Sequence, residues 1–367
     1  MKRVAVVVLA LGSASGCAVA HDVGAASGQA GLYGPVALDA RCRSEIADAP
    51  FDLPEHLSCT GLYADMDAEK REVAEQVMSF APAYLLWSDG LDKSRWLFLP
   101  EDAQIDATNA SAWTFPVGTR VWKEFRAPGS EQRIETRLYF KKGEGEWRQT
   151  SYAWDASMSD ATRVDRAKDV DVGDGQLHWI PGPSDCDECH KGRRDRVLGF
   201  EQVSLGLPEA SGETLAQLAA AGRLKGFDES APTTYQIGPG EDDGTEARAL
   251  GWMHINCGVT CHNDGSNATG GSVSLRLRLD PTQLDGREVT DFATFKTTVG
   301  VATQALQWTG NTRITPGSSE NSWLYTLITQ RGEDRQMPPI GSNVVDEEDS
   351  AVVKKWIDSL PASASAP

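Results

Sequence analysis

Between Arg133 and Lys142 the chain alternates. Ile134, Thr136, Leu138 and Phe140 fall on one side, and Arg133, Glu135, Arg137 and Tyr139 on the other. A period of two predicts a half-buried strand, because successive side chains of a strand point to opposite faces. Lys142-Gly143-Glu144-Gly145 supplies turn residues, and Trp147–Trp154 reads as the returning arm of a hairpin. Arg95–Leu99 and Thr119–Phe125 are further predicted strands. Seven tryptophans (Trp87, Trp96, Trp113, Trp122, Trp147, Trp154 and Trp179) lie in the same region. The reading is an antiparallel β-domain over residues 79–182, of sandwich type. The aromatic side chains would fill its core; the other use of such rings is a carbohydrate-binding platform.

Helical spacing appears elsewhere. Val73, Val77 and Phe80 predict a short helix over residues 68–80. Thr214–Leu224 is rich in Ala and Leu and reads as helix, and Gly238–Gly244 as linker. In Asp346–Leu360, Val352, Trp356 and Leu360 recur at i, i+4 and i+8, with Val353 and Ile357 beside them. Asp346 is placed to cap this helix, and acidic residues fill its first turn.

The N-terminus has a third pattern. Lys2 and Arg3 precede the apolar run Val4 to Leu11, followed by small residues from Gly12 to Gly16. That is the layout of a secretory signal over residues 1–16. The run is shorter than the roughly 20 residues that span a bilayer. Ala14-Ser15-Gly16-Cys17 resembles a bacterial lipobox, which would make Cys17 a lipidated first residue; Ala18-Val19-Ala20 offers an ordinary cleavage site instead. The expected location is the bacterial periplasm, or the outer membrane as a lipoprotein, with membrane contact only through the anchor. Residues 17–78 would be a tether, rich in Ala, Gly and Ser over 18–35, followed by an N-terminal segment.

A chain of 367 residues, 40% hydrophobic and 24% charged, can build several folded domains and is not of disordered or polytopic membrane type. Its net charge of −18 argues against a nucleic-acid-binding surface and favours basic partners at low salt. The seven cysteines change the picture more. With Cys17 assigned to the signal region, Cys42 and Cys59 read as a disulfide in an oxidising compartment. Four cysteines remain, in two clusters.

Cys186-Asp187-Glu188-Cys189-His190 is C-x-x-C-H, the attachment signature of c-type haem. Two thiols add across the porphyrin vinyl groups, and the adjacent imidazole binds the iron. A thioredoxin-like redox pair or half of a zinc site are the other readings. Cys257-Gly258-Val259-Thr260-Cys261-His262 has three residues between its cysteines, so the extra residue must bulge out for the sulfurs to reach the same positions. A small disulfide or a bare thiol pair is its other reading.

From about Thr245 to Leu360 the chain resembles a class I cytochrome c domain. The resemblance rests on Ala247–Ile255 as a helix leading into the cysteines, on Met337-Pro338-Pro339-Ile340-Gly341, and on the closing helix Asp346–Leu360 with Trp356. It implies Met337 as the iron ligand opposite His262, with His190 holding the iron of the first haem. The blocks Trp87-Ser88-Asp89-Gly90, Phe115-Pro116-Val117-Gly118-Thr119, Glu135-Thr136-Arg137 and Val197-Leu198-Gly199-Phe200 resemble exported bacterial haem proteins with a β-rich region ahead of cytochrome motifs. Candidate second ligands for the first haem are His178, His254, Met253 and Met158. His254 precedes Cys257 by three residues; hydrogen bonding alone is the other reading of it.

The expected architecture is therefore α and β in several domains. The β-region is followed by a first haem-binding region over 183–237, a mostly helical cytochrome c-like domain over 245–360 and a tail over 361–367. Two haem c groups and redox partner proteins are expected, with electron transfer as the function. An oxidase or peroxidase with one open-faced haem is the alternative.

Overall fold

The computed structural model describes residues 40–48, 53–66, 71–173, 175–193, 195–240, 243–284, 286–332 and 335–364. The secretory signal, Cys17 and the tether over 18–35 lie outside these residues. Thirteen strands form among them: β1 (Tyr63–Asp65), β2 (Glu72–Val73), β3 (Met78–Ala81), β4 (Asp92–Phe98), β5 (Ile105–Asp106), β6 (Arg120–Arg126), β7 (Arg133–Gly143), β8 (Glu146–Trp154), β9 (Ala161–Arg163), β10 (Lys168–Asp171), β11 (Leu177–Ile180), β12 (Ser211–Gly212) and β13 (Leu224–Lys225).

Seven of them build one antiparallel sheet in the order β12-β3-β4-β6-β7-β8-β9. The remaining strands pair only in twos, so no second sheet of comparable size is present among the described residues. The hairpin β7–β8 follows the alternating pattern, with Leu138 opposite Thr150 and Arg137 opposite Ser151. Gly145, at φ 68°, occupies the turn in a conformation that costs a residue without a Cβ little.

Each face of the sheet is covered. On one, Trp122, Leu138, Phe140 and Tyr152 bury against Leu57, Leu62 and Tyr63 of the N-terminal segment. Arg120 is inside this layer, its guanidinium 4.3 Å from the Phe98 ring and donating to the Thr60 carbonyl at 2.9 Å. The disulfide Cys42–Cys59 joins the helix Ala40–Asp48 to this layer, with Cα atoms 5.0 Å apart. On the other face, Phe80, Leu97, Tyr139 and Trp147 enter a core that runs on through Phe200, Leu250, Phe295 and Trp356.

The predicted helix over 68–80 is not formed: residues 72–73 and 78–81 are strands. Met78 pairs with Leu97 and Ser79 with Trp96. Val73 and Val77 pack on one face of the sheet and Phe80 enters the core on the other, so their apparent helical spacing is divided between two layers.

Beyond residue 243 the regular elements among the described residues are helical. Thr245–Met253 packs against Glu347–Ser359. The Trp252 indole N–H donates to Asp346 at 2.9 Å, and the Trp356 indole N–H to Glu246 at 3.3 Å. Asp346 also caps the second helix, accepting from the Asp349 N–H at 3.1 Å. Leu215–Ala220 is a short helix closed by a Thr214–Gln217 capping box. No helix of the described residues is long and apolar enough to cross a membrane.

Candidate functional site

The first cysteine motif lies on the second face of the sheet. Asp187–His190 is a single helical turn in which the His190 N–H donates to the Cys186 carbonyl at 3.2 Å. Gln149 of β8 anchors the turn through Asp187 at 3.0 Å, and Arg196 forms an ion pair with the same carboxylate. Tyr139 of β7 stacks on the His190 imidazole, the ring centroids 4.2 Å apart and the planes at 21°.

The histidine's hydrogen bond fixes its chemistry. Nδ1 is 2.5 Å from the Arg196 carbonyl oxygen. A carbonyl only accepts, so Nδ1 carries the proton and Nε2 keeps its lone pair. Burial drives the ring down to about 3, against the carbonyl contact that favours the charged form. The imidazole is therefore neutral at ordinary pH, the form that binds iron.

The second motif solves its longer spacing by widening the helix. After Thr245–Met253 the backbone continues as a π-helical turn, His254–Gly258, in which the Val259 N–H donates to the His254 carbonyl at 2.8 Å. The His262 N–H then reaches back five residues to the Cys257 carbonyl at 2.8 Å. In the first motif the equivalent bond spans four residues. The π-type turn thus takes up the additional residue and returns the histidine to the carbonyl of its own leading cysteine. Asn263 holds the turn by donating to the Gly258 carbonyl at 2.8 Å.

His262 is neutral too: burial first, then Arg313 and Arg276, lower it to about 4. Its Nδ1 is buried without a hydrogen-bond partner. The chain at Gly270 runs against the ring so closely that a Cβ there would sit 2.6 Å from Nδ1.

The two motifs touch. A Cβ on Gly192 would lie 2.5 Å from the Thr260 carbonyl oxygen and 3.2 Å from the Ala268 Cα. Thr269 donates its hydroxyl to the Glu188 carbonyl at 3.3 Å. Cys186, Cys189, Cys257 and Cys261 are all free thiols. Burial raises all four, Cys257 to about 12 and Cys261 to about 11. A thioredoxin-like pair needs the opposite shift. A zinc site needs ligands that converge, and no three His, Cys, Asp or Glu do so among the described residues.

Two of the histidines considered as further ligands are engaged elsewhere. His254 is buried; its Nδ1 accepts from the Leu279 N–H at 3.0 Å, which leaves Nε2–H to donate to Glu201 at 3.1 Å. Glu201 also caps the helix Gln202–Gly206, and its carboxyl stays well below the usual range because His254, Arg278 and Arg193 overcome the cost of burial. His178 is buried against Glu135 at 2.7 Å. Met253 is in the core, and Met158 is half-buried with a positive φ of 56°.

Met337 is half-buried, its N–H donating to the Leu327 carbonyl at 2.9 Å. The loop after it is tied to the sheet by a turn. Asp89 accepts from the Asn343 and Val344 N–H groups, each at 2.9 Å, and the Trp87 indole donates to the Val344 carbonyl at 2.8 Å. Trp87 N–H also donates to Asn256, inside the π-helical turn, at 2.7 Å. Trp87-Ser88-Asp89-Gly90 therefore connects the sheet, the second motif and the methionine segment.

The sequence reading missed the roles of three residues, of which Asp89 had entered only within the block Trp87-Ser88-Asp89-Gly90. Glu201 orders His254, Asp89 holds the methionine loop, and Asp195 forms a buried pair with Lys141 at 2.7 Å while accepting from Trp147 at 3.0 Å. Only Asp89 carries a local signal, a turn-forming Ser-Asp-Gly. Comparison of the chain with protein-family models, with curated proteins and with solved structures gives no match.

Proposed function

We propose that the protein is an exported dihaem c-type cytochrome that passes single electrons between redox partners. Cys186 and Cys189 would hold one haem and Cys257 and Cys261 the other, with His190 and His262 as iron ligands and Met337 opposite His262. The observation that carries this reading is the shared geometry of two adjoining Cys-to-His turns, each returning its histidine to the carbonyl of its first cysteine. The free Nε2 of His190, with its Nδ1–H held by the Arg196 carbonyl, is what a ligand imidazole requires of the surrounding protein, whereas the His262 Nδ1 has no such partner. When bound, haem supplies a one-electron couple whose potential depends on axial ligands, burial and nearby charge.

The chain's own residues do the rest. Tyr139 and Arg196 hold the His190 ring, and Cys186 is buried while Cys189, Cys257 and Cys261 are partly exposed. Contact between the motifs at Gly192 and Thr260 favours rapid exchange between two groups bound there. The acidic chain would favour basic partners. Export and a lipid anchor at Cys17 belong to the same proposal.

A pyridine haemochrome assay on protein matured in a bacterial periplasm tests this. Two haems per chain are expected; one would refute the assignment of Cys257–His262, and none the whole reading. One observation favours the second reading, an oxidase or peroxidase: His178 and His254 are both committed to buried carboxylates. Cyanide added to the oxidised protein separates the two. Low-spin spectra unchanged by cyanide mark the carrier, and a high-spin band that cyanide abolishes marks the enzyme.

A further inference from the structure

The sheet face beneath the first motif carries an unusual row. Arg95 of β4 is directly opposite Lys123 of β6, Lys123 is opposite Arg137 of β7, and Arg137 is opposite Ser151 of β8. Directly paired residues of an antiparallel sheet point to the same face. Three basic side chains thus stand side by side, an arrangement that repels itself whenever all three are charged. Only Arg137 has a full counter-charge, held by Glu135 through two contacts at 3.1 Å and one at 2.5 Å.

Among the described residues no ion pair reaches Lys123 or Arg95. Lys123 lies 4.7 Å over the Phe125 ring; burial first, then Arg95, Lys93 and Arg137, push its ammonium well below the usual lysine range, against the pull of Glu135. The Glu135 carboxylate is already shared between Arg137 and His178. Arg95 is only 6% exposed, and its Nη2 is buried with no hydrogen-bond partner. The Ser151 hydroxyl, at the other end of the row, is fully buried and equally unpartnered. Buried polar atoms are nearly always satisfied, so two orphans at the ends of one cationic row point to a missing acceptor. Lys123 and Arg137 remain half-buried, so the row is reachable. It faces the cysteine motif: Arg137 acts on Cys186 and Cys189, and Lys123 on Cys189 and His190.

We propose that Arg95, Lys123 and Ser151, with Arg137 between them, form a seat for an anionic oxygen group held against the sheet beneath the first motif. Two sources have this chemistry: a propionate carboxylate of a haem bound at Cys186 and Cys189, or a free oxyanion of phosphate type. The first source rests on the haem reading above, and the second does not. Charge-assisted hydrogen bonds to the oxygen atoms would satisfy Arg95 Nη2 and offset the repulsion along the row.

The test compares the full matured chain with its Lys123→Gln and Ser151→Ala variants, after haem is counted in each. Inorganic phosphate is titrated calorimetrically, and the propionate bending modes are followed by resonance Raman spectroscopy. If the anion is free, phosphate binds the parent protein and binds Lys123→Gln about tenfold or more weakly, the loss expected for one charge-assisted contact, while the propionate modes stay in place. If the anion is a propionate, phosphate finds no site in the parent, and both variants shift a propionate mode and lower the potential of one haem at unchanged haem content. Should Lys123→Gln fail to fold, Ser151→Ala, which keeps every charge, decides between the same outcomes. Phosphate indifference together with unchanged propionate modes in the variants would overturn the seat. A chain without haem would refute the haem reading separately, and phosphate binding would then decide the seat alone.

Discussion

Gly192 of the first motif loop lies against Thr260 inside the second, so closely that a Cβ on the glycine would meet the threonine carbonyl oxygen at 2.5 Å. Gly192 is not among the glycines with positive φ, so the constraint is space and not backbone conformation. A Cβ does not approach a carbonyl oxygen this closely, and Gly192→Val must push the two loops apart. The expected cost is about 1–3 kcal/mol, the usual range for overpacking, measured as a lower urea midpoint. If both motifs hold haem as proposed, haem content should stay at two per chain, because neither cysteine pair is altered, while magnetic coupling between the irons weakens in electron paramagnetic resonance spectra. Unchanged stability and unchanged coupling would show that the loops do not need this contact.

A second prediction concerns acid. Burial by itself would raise the Glu135 carboxyl, yet Arg137 and His178 outweigh it and hold the group at about 2 against an ordinary 4.5. A depressed carboxylate contributes stability that is complete above pH 4.5 and disappears as pH falls from there toward 2. The unfolding midpoint should therefore drop steeply through that window. In Glu135→Gln the drop should be shallower, from a lower starting stability at pH 7, because Arg137 and His178 lose their buried partner at a cost of about 3 kcal/mol or more. Parallel pH profiles for the two proteins would place the acid sensitivity elsewhere.

These residues also show what could be read from the sequence. The alternation in β7 was legible because one side of the strand is apolar and the other carries Glu135, Arg137 and Lys141. A polar face normally means water, but here it is buried against the cysteine motif, and no local pattern distinguishes the two situations. The closing helix was legible because its cap and its apolar stripe are both local, Asp346 bonding Asp349 and Val353, Trp356 and Ile357 burying together. The segment 72–81 misled because its apolar residues serve two layers of the fold. The three-residue spacer announced one extra residue between Cys257 and Cys261, and the His262 N–H accommodates it by bonding the Cys257 carbonyl five residues back. The meeting of the two motifs, and the commitment of His254 to Glu201, depend on residues remote in the chain.

Asp346 joins two roles that can be separated. Its carboxylate caps the helix Glu347–Ser359 and accepts from the Trp252 indole. Asp346→Ala removes both, and the loss of a cap together with an orphaned buried indole N–H should cost about 2–4 kcal/mol. Asp346→Asn keeps one oxygen for the cap but presents its NH2 to the Trp252 N–H, so it should recover only the cap's share, about 1 kcal/mol. Thermal melts followed by tryptophan fluorescence would report both the stability and the environment of Trp252. Equal losses in the two variants would mean that a neutral capping oxygen contributes nothing measurable to the helix.

The last prediction bears on Met337. Its backbone is fixed from two sides: its own N–H is bonded to Leu327, and the chain a few residues on is bonded through Asn343 and Val344 to Asp89. A thioether that ligates iron raises the potential relative to a second imidazole. If Met337 is the ligand opposite His262, Met337→Ala leaves two haems attached, abolishes the sulfur–iron charge-transfer band, and lowers one of the two potentials. Asp89→Ala should act in the same direction but less strongly, since it frees the loop without removing the sulfur. Redox titration with visible spectroscopy on the three proteins checks both statements. A charge-transfer band that survives in Met337→Ala assigns the sulfur ligand to another methionine, and Met158 and Met253 are then the residues to replace.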